Sequence, residues 1–418
     1  MRKNLPSACS FKQTECLLVT EDTTLVKRSR YAVAAVFCVH GSVTGSFATR
    51  VPWIQEHAGV SAGQLGLALA FPALGAALMM PLAARVSHRF GTRTALRGLL
   101  ALWTLALILP SFAPGLLTLC AALLIYGGTA GMADVAMNAL GVEVEHRLNK
   151  SIMSGLHGLW SAGALLGSAV GTLAAHANLS AQTHHVIAAV VLTVIGAVVC
   201  QFVLNIRPED DAEPPARFAL PPKSALLIGA VGFCAVFAEG ASLDWSAVYL
   251  RDELETSAGL AAACTTGFTL TMALARLAGD KVVDRFGAVR TVRVSGVLAA
   301  LGGLLVVVGG QPAVAMTGFA LMGLGIAVVV PLCFAAAGRA GSNPSLAIAG
   351  VATITYTSGL VAPSAIGGLA QATSLVVSFG LVTLLACCLV VFARVLRAGD
   401  RNRPKISPPV AEVPGRQS

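Results

Sequence analysis

Seven residues stand out because they are polar or aromatic groups set inside long apolar runs: His40, Asp134, Asn138, His157, Trp160, Glu239 and Tyr356. Moving an ionised side chain to the centre of a bilayer costs ~2.5–3.5 kcal/mol on insertion scales. An acid kept in such a run therefore argues for a task, either proton transfer or solute binding. Asp134 and His157 lie in consecutive runs joined by a short connector. Both are roughly 10 Å deep at about 1.5 Å per residue. If those runs pack together, acid and imidazole form a pair whose charge follows its access to water. Asn138 follows four residues after Asp134 and shares its helical face. Glu239 falls near the middle of a later run. Asp244 comes five residues on, about 140° round a helix, and reads with Trp245 and Tyr249 as an outer-interface group. The rings of Trp160 and Tyr356 suit stacking on a sugar or an apolar ligand. Each of these residues also has a plainer reading, as helix packing or as a hydrogen-bond network that holds helices together.

The surroundings decide what can position these groups. The chain has 418 residues, 56% hydrophobic and only 12% charged, with a mean hydropathy of +0.76. A soluble domain is usually about 45–50% apolar and about 25% charged. So little charge does not cover a water-facing surface, which excludes a soluble enzyme, a nucleic-acid binder or a disordered protein. The chain reads as an all-α polytopic membrane protein. Twelve apolar runs of about 20 residues or more fall between residues 31 and 396. The 43 glycines suit close helix packing in lipid.

The ten cysteines lie mostly in apolar runs and form no CxxC pair. They read as small packing residues, with neither a disulfide nor a metal site expected. No GxxxxGK[ST] loop is present, so ATP is not expected as the driver. No cofactor is expected, and a proton gradient is the natural energy source. His176, His184 and His185 cluster without nearby acids and read as part of a loop on the outer side.

An even number of spans puts both ends on one side. The net charge is +9, and almost all of the 29 Lys and Arg fall on that side, with Arg50 and Arg251 as the outer exceptions. Cytoplasmic loops carry such an excess, so both termini are expected in the cytoplasm. Residues 1–30 carry acids and bases and lack a signal-peptide core, and read as a cytoplasmic tail. Residues 31–206 form one bundle, 207–223 a Pro-rich cytoplasmic linker, 224–397 a second bundle, and 398–418 a disordered tail.

The two bundles are related. A shift of 196 residues lays His88-Arg89-Phe90-Gly91 on Asp284-Arg285-Phe286-Gly287, Gly127 on Gly323, and residues 161–174 on 357–370. Trp160 and Tyr356 become equivalents. Two six-helix halves of like orientation imply a solute path between them, near the midplane.

The duplicated loop carries a family resemblance. Its second copy has Asp280, Asp284, Arg285, Gly287 and Arg290; its first has Arg89, Gly91 and Arg93, with His88 in place of the usual acid. Together with twelve spans this resembles the major facilitator superfamily over essentially the whole chain. The resemblance implies a secondary transporter of a small molecule in the lipid bilayer, with these loop residues as a cytoplasmic gate and a monomer as the default state. The stretches at 134–145, 151–163 and 239–250 look like a bacterial subgroup near the fucose-permease-type porters. That likeness implies proton-coupled uptake of a sugar-like or other small polar metabolite across the inner membrane, with Asp134 matching the span-four acid in kind. Span one has no acid and offers His40 instead, on a helix that lines the path in this family. Arg276 reads as a partner of Asp284; Glu143 reads as part of a solvated charged inner loop, with the gate as its alternative role. A proton-coupled drug or metabolite efflux antiporter is the alternative. A polytopic membrane enzyme is a remote one, because no catalytic cluster is visible.

Overall fold

The computed structural model of the chain describes residues 8–149, 152–205, 223–339 and 344–399, with side chains from Leu25 onward save a few, Tyr356 among them. Most of the expected linker and the tail beyond residue 399 lie outside the described residues. Every described element is helical. The first half contains α1 (Ala8–Ala48), the short α2 (Val51–Ala58), α3 (Ala62–Phe90), α4 (Thr92–Ala106), α5 (Leu116–Leu148), α6 (Met153–His176) and α7 (Ala181–Val199). The second contains α8 (Lys223–Asp252), α9 (Ala258–Phe286), α10 (Ala288–Val308), α11 (Pro312–Ile326), α12 (Val329–Ala337), α13 (Pro344–Ala372) and α14 (Leu375–Phe392). Eleven described segments are long and apolar enough to cross a membrane, with α11 and α12 sharing one of them. The 29-residue α13 is the remaining long helix. The first helix begins at Ala8, well before residue 31, and its apolar span starts at Leu25.

The 196-residue offset is built into the helix ends. Ser61 caps α3 by accepting from the Gln64 N–H, while the Gln64 side chain returns to the Ser61 N–H at 2.9 Å. Ser257 caps α9 by accepting from the Leu260 N–H, without the reciprocal bond, because Leu260 has no side-chain acceptor. The two helices end at Gly91 (φ 78°) and Gly287 (φ 77°), left-handed positions that favour glycine. Inside the bundles, a Cβ on Gly127 would meet the Pro72 carbonyl oxygen at 2.0 Å, and one on Gly323 the Phe268 carbonyl oxygen at 2.6 Å. Positions 72 and 268 are related by the same offset.

The tenth crossing is broken at Ala327–Val328, between α11 and α12. Pro331 has no N–H, so the Ala327 carbonyl lacks its helical donor four residues on. This break shapes the site described below.

The halves meet along α3–α13 and α6–α9. In the first seam Gly66 and Gly367 bring two backbones together: a Cβ on Gly66 would lie 2.8 Å from the Gly367 Cα. In the second, Thr172 faces Thr266 (2.8 Å between hydroxyl oxygens) and Ser168 faces Thr269 (3.1 Å). The α2 end is sealed further. Arg251 pairs with Glu56 at 2.7 Å, Gln55 donates to Asp252 at 3.4 Å, and the Gly63 N–H donates to Gln371 at 3.3 Å.

Two expectations change. Trp245 and Tyr249 are not interfacial but buried, at 0% and 2% exposure. The Tyr249 hydroxyl donates to the Val306 carbonyl at 2.7 Å, so the ring packs inward against Phe319 and Phe379 without reaching water. His184 and His185 lie in the first turns of α7, behind its Ser180 cap, and are buried rather than in a loop. Glu143 keeps to the solvated face, pairing with Arg147 one turn on at 2.7 Å, and takes no part in a gate contact among the described residues.

Candidate functional site

Arg276, on α9, is the node. Its Nη2 donates to Glu239 Oε1 on α8 at 2.9 Å, and its Nη1 donates to Ser161 Oγ on α6 at 3.2 Å. Its Nε donates to the Ala327 carbonyl at 3.4 Å, the group that Pro331 leaves without a donor. One guanidinium thus ties three other helices, and Ser161 belongs to the opposite half. On the α6–α9 seam the polar contacts run Thr172–Thr266, Ser168–Thr269, Ser161–Arg276, so the arginine is the rung furthest from the sealed end. Both members of the ion pair are half-buried, with side chains 25% and 21% exposed. A pair of this kind is worth little net stability, but removing one partner strands the other charge.

The N-terminal half supplies a different acid. Asp134, half-buried on α5, accepts from Asn138 Nδ2 at 3.1 Å; the same amide donates to the Asp134 carbonyl at 2.9 Å. No cation is bonded to it among the described residues. His157, exposed on α6, lies within electrostatic reach of both Asp134 and Arg276 and packs edge-on to Phe37 at 5.4 Å. The sequence-based pairing of Asp134 with His157 is therefore electrostatic, without a hydrogen bond among the described residues.

His40 and Trp160 are brought together by each other. Trp160 Nε1 donates to His40 Nδ1 at 3.0 Å, and His40 Nε2 lies 3.3 Å from the Ala130 carbonyl, assigning the Nε2–H tautomer. Trp103 stacks on the imidazole and donates to the His40 carbonyl at 3.4 Å. His40 is 6% exposed, so it braces α1, α4, α5 and α6 inside the bundle rather than lining a path. Trp160 remains half-buried beside Ser161. The Tyr356 side chain lies outside the described residues.

The loop residues stand apart from this centre. Arg89, Arg93, Asp280, Asp284, Arg285 and Arg290 are exposed, and no ion pair joins them across the halves among the described residues. Arg93 instead donates to the Val203 carbonyl at 2.9 Å within its own half.

Sequence reasoning missed Arg276 and Ser161 as centre residues. A signal for the arginine was present: it lies within an expected span, and Glu239 needed a partner. Asp244 was also misplaced. It is half-buried on α8, within electrostatic reach of Tyr126 on α5, whose hydroxyl is buried without a partner.

Two halves related by a shift, sealed at one end and joined at mid-depth by a charged node, describe a carrier. The family model of the Major Facilitator Superfamily matches residues 32–238 and again 228–416. The chain belongs to the Major Facilitator Superfamily. It is 34% identical over 371 residues to an uncharacterized transporter of Sinorhizobium fredii, covering 87% of this chain and 97% of that one. It is 33% identical over 364 residues to an uncharacterized MFS-type transporter of Yersinia pestis, covering 86% and 93%. Among solved structures, a bacterial homolog of the human lysosomal transporter Spinster overlays with a TM-score of 0.73 at 11% identity, covering 92% of this chain and 99% of that one. That likeness supports the fold alone. The chain is thus a multi-pass secondary transporter, and the membrane-enzyme alternative falls.

Proposed function

We propose that this transporter moves a small polar solute, sugar-like in character, by alternating access coupled to protons. The reading places it in the bacterial inner membrane with both termini in the cytoplasm, since the basic residues gather on the motif side. The observation that carries it is the Arg276 node, which bonds two helices of its own half and one of the other at the last rung of the seam. A solute hydroxyl that displaces Ser161 from Arg276 loosens the link between the halves; one that replaces it restores the link on the other side of the cycle. Asp134 has no bonded cation among the described residues, so it is the acid that gains or loses a proton as water reaches it. His157 carries the charge change towards Arg276. Tyr356 is a candidate for solute stacking on the sequence repeat alone, as the equivalent of Trp160. The gate residues Arg89, Gly91, Arg93, Asp280, Asp284, Arg285, Gly287 and Arg290 close the motif end in the opposite state. The likeness of residues 134–145 to the fucose-permease-type porters supports a sugar-like substrate.

Purified protein in vesicles, screened with labelled sugars and other polar metabolites, tests this. A substrate should accumulate when the outside is made acidic, and Asp134→Asn should remove that drive while leaving solute exchange at zero gradient. Accumulation indifferent to the gradient, or an Asp134→Asn protein still driven by it, would sink the coupling. Accumulation only under the reverse gradient orientation would make the carrier an exporter.

A further inference from the structure

The sealed end holds a second polar cluster that the transport reading leaves unused. Arg50 follows α1 and is only 3% exposed. One terminal nitrogen donates to the Leu179 carbonyl; its Nε is buried without a partner, and no carboxylate pairs with it among the described residues. Burial pushes the guanidinium down to about 10, which leaves it charged at neutral pH. Behind it His184, 4% exposed, has neither ring nitrogen hydrogen-bonded among the described residues. His185, wholly buried, packs against His184 with ring centroids 5.2 Å apart. A buried charge without a counter-charge is among the costliest features a fold can keep.

A cavity of about 190 Å³ opens against this arginine, lined also by Trp53, Glu56, Asn178 and Arg251. Its acid is already taken, since Glu56 is bound to Arg251 at 2.7 Å. The cavity therefore offers one uncommitted cation and no uncommitted acid. At ~30 Å³ per water it has room for roughly six waters, or one small organic ion. Pro52, Trp53, Ala175 and Ala258 give it apolar walls that a carbon stem would cover and a bare halide would not.

We propose that this cavity binds a small carboxylate anion, held by the Arg50 guanidinium and flanked by Asn178. Planar guanidinium matches carboxylate through paired N–H donors. The site is distinct from the central node and does not need the transport reading, because binding can be measured on the protein at rest.

The test is thermal unfolding of the purified full chain in detergent at fixed ionic strength. Acetate and succinate should raise Tm saturably, by about 3 °C or more. Acetamide, of acetate's shape without its charge, should not, and neither should chloride. Arg50→Gln should lose the acetate shift, and Arg50→Lys should keep part of it. Asn178→Asp places a carboxylate in the cavity and should remove the shift in a folded protein. Acetamide or chloride matching acetate overturns the proposal. So does a full acetate shift in Arg50→Gln or, where that variant fails to fold, in Asn178→Asp.

Discussion

The two halves share a scaffold and differ in what it holds. Helix ends, caps and tight glycines repeat at a constant offset: Ser61 with Ser257, Gly91 with Gly287, Gly127 with Gly323. The charged groups inside the crossings do not. Positions related to Asp134, His157, Glu239 and Arg276 are Val330, Thr353, Val43 and Met80. The first half keeps an acid bonded to an amide; the second keeps an acid bonded to an arginine. Caps and close approaches are local needs that any copy of the helix pair must meet. A buried charge is an expense justified only where chemistry uses it, so one copy suffices. The asymmetry assigns different work to the halves. The Glu239–Arg276 pair is already compensated and suits holding, whereas Asp134 suits proton exchange.

The sharpest way to break the comparison is an identical substitution at equivalent glycines. Gly163 on α6 packs against α1, where a Cβ would lie 2.0 Å from the Cys38 carbonyl oxygen. Gly359, its repeat partner, would place a Cβ 3.9 Å from Ala73. Gly163→Ala should destabilise by about 3 kcal/mol in a detergent unfolding assay, and Gly359→Ala by no more than about 0.5 kcal/mol. Equal losses would mean that the halves pack alike.

The next test separates the holding pair from the free acid. Arg276→Gln strands Glu239 and should lower stability by about 2 kcal/mol, less than for a fully buried pair because both groups are partly exposed. Adding Glu239→Gln should recover most of that loss. Asp134→Asn should leave stability within about 0.5 kcal/mol of wild type, having no stranded partner. Recovery absent from the double variant would show that the arginine acts mainly through Ser161 and Ala327.

Tyr249→Phe, which removes the hydroxyl that donates to Val306, should cost about 1–2 kcal/mol by leaving a buried carbonyl unpaired. Tyr126→Phe, at a hydroxyl with no partner among the described residues, should be neutral or slightly stabilising by the same measurement. The smallest expected difference lies at the caps. Ser61→Ala and Ser257→Ala should each cost about 1 kcal/mol, and within error the same amount, because each removes the same serine bond to the N–H three residues on.

Much of this was legible in the residues. Apolar runs showed the crossings, and the offset that joins Gly127 to Gly323 showed the duplication. Asp134 and Asn138 could be paired because four residues is one helical turn. What was hidden is rotation about each helix axis. Hydropathy says that Tyr249 lies near a span end, not that its ring turns inward to Val306. Nearness in the chain suggested Asp284 for Arg276, while the fold supplied Glu239, on a different helix. The same limit placed His184 and His185 in a loop, because polar rings at the start of a run look like its connector until the helix that buries them is seen.

The interruption at Ala327 carries a mechanical consequence. In hydrocarbon an unserved carbonyl has no water to turn to, and here Arg276 supplies the missing donor. Whenever α9 swings away, that oxygen must be wetted or the two short helices must realign to shelter it. The tilt of one crossing and the straightness of another are therefore geared together, and proline is the tooth.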